Sequence, residues 1–81
     1  MFEFIEGRII EKTPAYLVLQ NGGTGYYINI SLFTFSGSPA EGEARLYIHQ
    51  VIREDANILF GFHSKQEREI FRYLISVSGI G

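Results

Sequence analysis

The 81-residue chain contains no cysteine. That excludes a disulfide framework, a thiolate metal cage and a cysteine nucleophile. Long hydrophobic runs are also missing: the longest apolar stretch is five residues, Ala15 to Leu19, far short of the ~20 a membrane helix needs. The acidic start Met1-Phe2-Glu3 does not read as a signal peptide, so the cytosol is the expected location. Positive charge is in short supply too, with seven Lys and Arg against nine Asp and Glu and a net charge of −2. A domain that holds DNA or RNA by itself is usually basic, because counterion release supplies most non-specific affinity. The balance argues against a free-standing nucleic-acid binder but leaves room for a basic stripe on one face.

What the chain does have is core-forming side chains. Leu, Ile, Val and Phe account for 27 of 81 residues, well above the roughly 20 % below which disorder is expected. One domain fits this length, burying about 60 % of its unfolded surface. Stability must come from packing, from oligomerisation or from parts of a longer protein.

The pattern predicts short strands followed by one helix. Phe2 to Lys12 reads as the first strand, and its phase change around Gly7 points to a bulge or sharp bend there. Tyr16 to Gln20 is the second. Asn21-Gly22 predicts a tight type I′ hairpin, which requires positive φ at both central residues. Tyr26, Ile28 and Ile30 alternate with Tyr27, Asn29 and Ser31 as a half-buried third strand. Leu32 to Phe35 reads as a helical turn capped by Ser31 and ended near Gly37 and Pro39. Arg45 to Arg53 is a fourth strand, with Leu46 and Ile48 on one face and Tyr47, His49 and Val51 on the other. Asn57 to Phe62 is a fifth, placing Ile58, Phe60 and Phe62 together. The period then changes. Ser64-Lys65-Gln66-Glu67 matches a capping box, Ile70, Phe71, Leu74 and Ile75 form a helical stripe, and Gly79 suits the helix C′ position. The expected fold is mainly β: a five-stranded OB-fold Greek-key barrel over residues 1–63, followed by a C-terminal helix in 64–81. An SH3-like barrel explains the long first strand and the insertion less well.

No catalytic constellation emerges. His49 and His63 sit on different elements without an obvious carboxylate partner. Gly22-Gly23-Thr24-Gly25 lacks the Lys-Ser/Thr of a phosphate-cradling loop and reads as a hairpin turn. No cofactor and no metal are expected. Most of the five Tyr and seven Phe read as barrel residues, with Tyr27 pointing outward as the one candidate for stacking on a base.

Two short stretches carry more. Glu54-Asp55, beside Arg53, sits in the loop between strands four and five, which in OB-folds borders the oligonucleotide groove. A solvated turn is the plain structural reading. As a functional element, one pair of charges ~10 Å apart in water is worth only ~0.4 kcal/mol, so repulsion of a phosphate backbone matters only if several copies converge. Ser78-Gly79-Ile80-Gly81 reads either as a capped helix end or as the first half of a helix-hairpin-helix. The latter holds phosphates through backbone N–H groups, and a chain that stops inside it reads as part of a longer protein.

In order and spacing, Gly22-Gly23-Thr24-Gly25-Tyr26, Arg53-Glu54-Asp55-Ala56, Leu59-Phe60-Gly61-Phe62 and Glu67-Arg68, followed by Phe71, Leu74-Ile75 and Gly79-Ile80-Gly81, closely resemble one family. This is the N-terminal region of the RuvA family, bacterial subunits of the RuvAB branch-migration complex that bind Holliday junctions. The resemblance covers the whole chain. It implies an OB-fold barrel followed by a helix-hairpin-helix domain, a linker and a C-terminal domain that engages the RuvB motor. It also implies a flat homotetramer holding the four-way junction, two such tetramers forming an octamer, and a role with RuvC resolvase in recombination and repair in the bacterial cytoplasm. Glu54 and Asp55 correspond to the family's acidic pin, which separates strands at the crossover. Gly79, Ile80 and Gly81 correspond to the first DNA-binding hairpin. Arg53 is a phosphate contact or an intramolecular counter-ion. ATP hydrolysis belongs to RuvB, so this chain is expected to be non-catalytic. Phe4 and Glu6 depart from the basic residues many relatives carry near those positions. The competing readings are a generic OB-fold single-strand binder, which needs exposed aromatics and cations along strands two and three, and a purely structural interaction module.

Overall fold

The computed structural model describes residues 2–78. Five strands, β1 (Phe4–Lys12), β2 (Tyr16–Asn21), β3 (Thr24–Ile30), β4 (Glu43–Arg53) and β5 (Ala56–Phe62), enclose a barrel. A short helix α1 (Leu32–Gly37) lies between β3 and β4, and α2 (Lys65–Ser78) follows β5. The order around the barrel is β1-β2-β3-β5-β4, closed by the antiparallel β1–β4 pair. The β3–β5 contact is parallel and spans only Asn29↔Phe60 and Ile30↔Gly61. This is the OB-fold order expected from the pattern.

Alternation decides the core. Ile5, Leu17, Leu19, Ile28, Ala44, Leu46 and Ile48 are buried in one cluster, with Ile9, Tyr26, Ile30 and Leu59 packed against it. Each fully buried Leu or Ile contributes roughly 1.5–3 kcal/mol through area removed from water. The opposite face of β4 and β5 lies beneath α2. There Phe71 packs against Phe60, Phe62 and His49, with ring centroids 5.1–5.7 Å apart.

Several details differ from the sequence expectations. The first strand starts at Phe4, where pairing with Tyr47 begins, while Phe2 packs edge-on against Tyr26. The bulge falls at Ile10, between Ile9↔Leu19 and Glu11↔Val18, not at Gly7. Gly7 is needed for close approach instead: a Cβ there would lie 2.4 Å from the Gln20 carbonyl oxygen. The β2–β3 turn is one residue further on, with Asn21↔Thr24 paired and Gly22-Gly23 central. Only Gly22 has positive φ, at 62°, so the turn is not type I′, which requires it at both positions.

Ser31 caps α1 as expected, its hydroxyl accepting from the Thr34 N–H at 3.1 Å. Ser64 likewise accepts from the Glu67 N–H at 3.1 Å, but the Glu67 carboxylate turns to α1, so the capping box is one-sided. The helical stripe is split: Phe71 and Ile75 are partly buried, whereas Ile70 and Leu74 are 60 % and 58 % exposed. A helix resting on a curved barrel touches it along one line only. The proposed cap at Gly79 lies outside the described residues.

Candidate nucleic-acid interface

β4 and β5 form a hairpin longer than the barrel that carries it. Their ladder runs from Tyr47↔Phe62 to Arg53↔Ala56, but β1 accompanies β4 only as far as Tyr47 and β3 accompanies β5 only at Phe60 and Gly61. From Gln50 to Leu59 no third strand among the described residues joins their backbone ladder. The ribbon therefore carries its turn roughly 10 Å past the barrel ladder, at about 3.4 Å per residue.

Glu54 and Asp55 are that turn, and both are exposed. Among the described residues neither carboxylate has an ion-pair or hydrogen-bond partner; Arg53, the last residue of β4, has none either. The intramolecular counter-ion considered for Arg53 is thus not formed. Gly79, Ile80 and Gly81 lie outside the described residues.

The remaining cations are mostly engaged. Arg45 pairs with Glu6 at 3.0 Å and stacks over Phe4. Lys12 donates to the Ser38 and Pro39 carbonyls, and Lys65 pairs with Glu3 at 3.2 Å. Arg68 is only 2 % exposed. It donates to the Glu3 and Ile48 carbonyls and pairs with the Glu3 and Glu69 carboxylates. These bonds to Arg68, followed by those to Lys65, hold the Glu3 carboxyl below its ordinary value. Arg72 reaches Glu69, the Ile48 carbonyl and His49. Of the chain's seven cations only Arg8 and Arg53 are left without such partners among the described residues.

Neither histidine forms a catalytic pair. His49 Nδ1 accepts from Arg72 Nε at 3.2 Å, so the neutral ring carries its proton on Nε2. Burial, then the nearby Arg72 and Arg68, hold its pKa below the usual value. His63, contrary to expectation, has a carboxylate neighbour: its Nδ1 lies 3.1 Å from Glu67 Oε1, within ion-pair range but without hydrogen-bond alignment. Glu67 is further held by Thr34 at 2.7 Å and Ser31 at 3.0 Å. The i,i+4 spacing of His63 and Glu67 was the signal for this contact. The burial of Arg68 had no comparable signal, because its carbonyl acceptors are Glu3, which precedes β1, and Ile48 of β4, both remote in sequence.

The family described as "RuvA N terminal domain" matches residues 1–61. The chain belongs to the RuvA family. Among curated relatives, each named "Holliday junction branch migration complex subunit RuvA", that of Christiangramia forsetii is 52 % identical over the whole chain, which covers 42 % of that protein. The Bacteroides fragilis protein is 53 % identical over the whole chain, covering 40 % of it. The Streptococcus pyogenes serotype M18 protein is 46 % identical, with 41 % of it covered. The chain thus spans about two fifths of the RuvA proteins it matches. No helix among the described residues is long and apolar enough to cross a membrane.

Proposed function

We propose that this chain is the N-terminal barrel of a Holliday-junction protein, a non-catalytic part of an ATP-dependent branch-migration machine. In this reading Glu54 and Asp55 are the acidic pin. The observation that carries it is an uncompensated carboxylate pair at the end of a ribbon that stands clear of the barrel. In a four-fold ring, four such tips bring eight carboxylates to the crossover, where their summed repulsion of phosphates far exceeds the fraction of a kcal/mol available to one pair. The homotetramer, its pairing into an octamer, the RuvB-type motor that hydrolyses ATP and the RuvC-type resolvase are partners proposed on the same footing, acting mainly through regions beyond these 81 residues.

The exposed Ile70, Tyr73, Leu74 and Val77 on α2 support assigning residues 64–81 to a following helix-hairpin-helix unit. Gly79, Ile80 and Gly81 would open its first phosphate-binding hairpin, and that unit would supply most of the grip on DNA. Arg53 is retained as a phosphate contact beside the pin. The generic single-strand reading is less well supported: residues 16–30 carry exposed Tyr27 but no Lys or Arg.

The test is branch migration by the full-length protein with its motor, comparing wild type with Glu54→Gln/Asp55→Asn. A changed migration rate is expected, and an unchanged rate overturns the pin assignment. The 81-residue chain alone should bind junction DNA weakly, since most of its cations are engaged. Nanomolar, salt-resistant binding in a gel shift would contradict this.

A further inference from the structure

The short β3–β5 pairing ends at Asn29↔Phe60, and beyond it β3 and β5 diverge next to the ribbon that carries the acidic tip. A cleft of about 300 Å³ lies there, lined by Phe2, Tyr26, Tyr27, Gln50, Asn57 and Leu59. We infer that this cleft is a binding site for a single unpaired nucleobase.

The chemistry of the lining selects that occupant. Gln50 Nε2 donates to Asn57 Oδ1 at 2.8 Å, which leaves Gln50 Oε1 and Asn57 Nδ2 unpartnered among the described residues. An acceptor and a donor side by side match the edge of a base. Aromatic rings supply the apolar contact: Phe2 and Tyr26, on the core side of β3, are edge-to-face, whereas the Tyr27 ring lies on the outer face, stacked on Tyr16 at 4.4 Å. No Lys or Arg lines the cleft, and the nearby tip is acidic. The site is therefore unsuited to a phosphate backbone and suited to a neutral, planar group. Strand alternation puts Ile52, 74 % exposed, on the same face as Gln50 and Asn57, so an apolar side chain continues this surface to the tip.

The proposal rests on the functional reading above only for the source of the base, a strand parted at the crossover. Its test is separate. The isotope-labelled 81-residue chain is titrated with short oligodeoxyadenylate and, in parallel, with an abasic oligonucleotide of the same length, and NMR shifts are followed. The side-chain amide signals of Gln50 and Asn57 and the Tyr26–Tyr27 backbone should move with the first and not the second. Phe2→Ala should weaken the effect about tenfold, the size of one base–aromatic stack, and Asn57→Ala should weaken it too, both with the spectrum otherwise unchanged. Silence with both probes, or equal shifts with the abasic strand, overturns the site. If the titration is silent while Glu54→Gln/Asp55→Asn still alters branch migration, only the base site falls. If shifts occur but migration is unaffected by that double change, the pin falls and the base site stands.

Discussion

Thr34 Oγ1 donates a hydrogen bond of 2.7 Å to Glu67 Oε1, joining the insertion between β3 and β4 to the C-terminal helix. Thr34 is fully buried, so the hydroxyl has no water to turn to. The same carboxylate accepts from Ser31, and the two bonds fix the start of α2 against α1.

Replacing Thr34 with Val keeps the shape and removes the donor. A hydrogen bond to a charged group is worth about 1.5–3 kcal/mol, and Ser31 retains part of the hold on Glu67. A loss of about 1–2 kcal/mol in urea-denaturation stability is expected for Thr34→Val. A change below about 0.5 kcal/mol, typical of a surface substitution, would show the contact to be idle.

Arg68→Lys tests the second attachment of α2. Lysine keeps the charge but lacks the planar fork that reaches two carbonyls and two carboxylates at once. Because Glu3 and Glu69 are half-exposed, their ion pairs count for little. The loss comes from the Glu3 and Ile48 carbonyls, about 2 kcal/mol in total. Calorimetry should show a lower Tm, with the barrel core still cooperative.

Gly7→Ala places a methyl group against the Gln20 carbonyl oxygen, a backbone atom that cannot rotate away. The β1–β2 seam must shift, at a cost of about 1–3 kcal/mol. Gly22→Ala is costly for a different reason, its φ of 62°, although nothing stands near its Cβ. Comparing their thermal stabilities separates crowding from backbone strain.

Stability should also fall on mild acidification. The folded pKa of His49 lies below its ordinary value near 6.5, so the unfolded chain binds the extra proton more readily and stability drops as pH falls below 6.5. Glu3, with its pKa held below 4.5, stabilises the fold above that pH, and this contribution is lost on further acidification through its folded value. His49→Gln should flatten the first slope and leave the second. Denaturation midpoints measured across this range would reveal both.

Glu54→Gln/Asp55→Asn should leave thermal stability within about 0.5 kcal/mol of wild type, since neither side chain has a partner among the described residues. A larger change would reveal a structural role for the turn.

The strand order was legible because the inward positions of β3 and β4 alternate cleanly: Ile28 and Leu46 announce their faces. Gly7 misled because a glycine inside a strand signals either a bulge or a close approach, and only the neighbouring backbone of Gln20 decides between them. Ile70 and Leu74 looked like core because periodicity reports an apolar stripe without saying how wide the surface beneath it is. At the tip, Glu54 and Asp55 were visible as residue types, but the length of unsupported ribbon behind them was not. That length depends on where β1 and β3 stop pairing, a long-range property no local window contains.

The ribbon has a mechanical consequence. It is a cantilever, with its root clamped by β1 on one side and by Phe71 of α2 on the other, and with no hinge glycine between Gln50 and Leu59. A load applied at the free end passes into the β1–β4 seam and the helix instead of being absorbed by loop motion. The charge at the end of such a beam keeps a fixed position relative to the barrel.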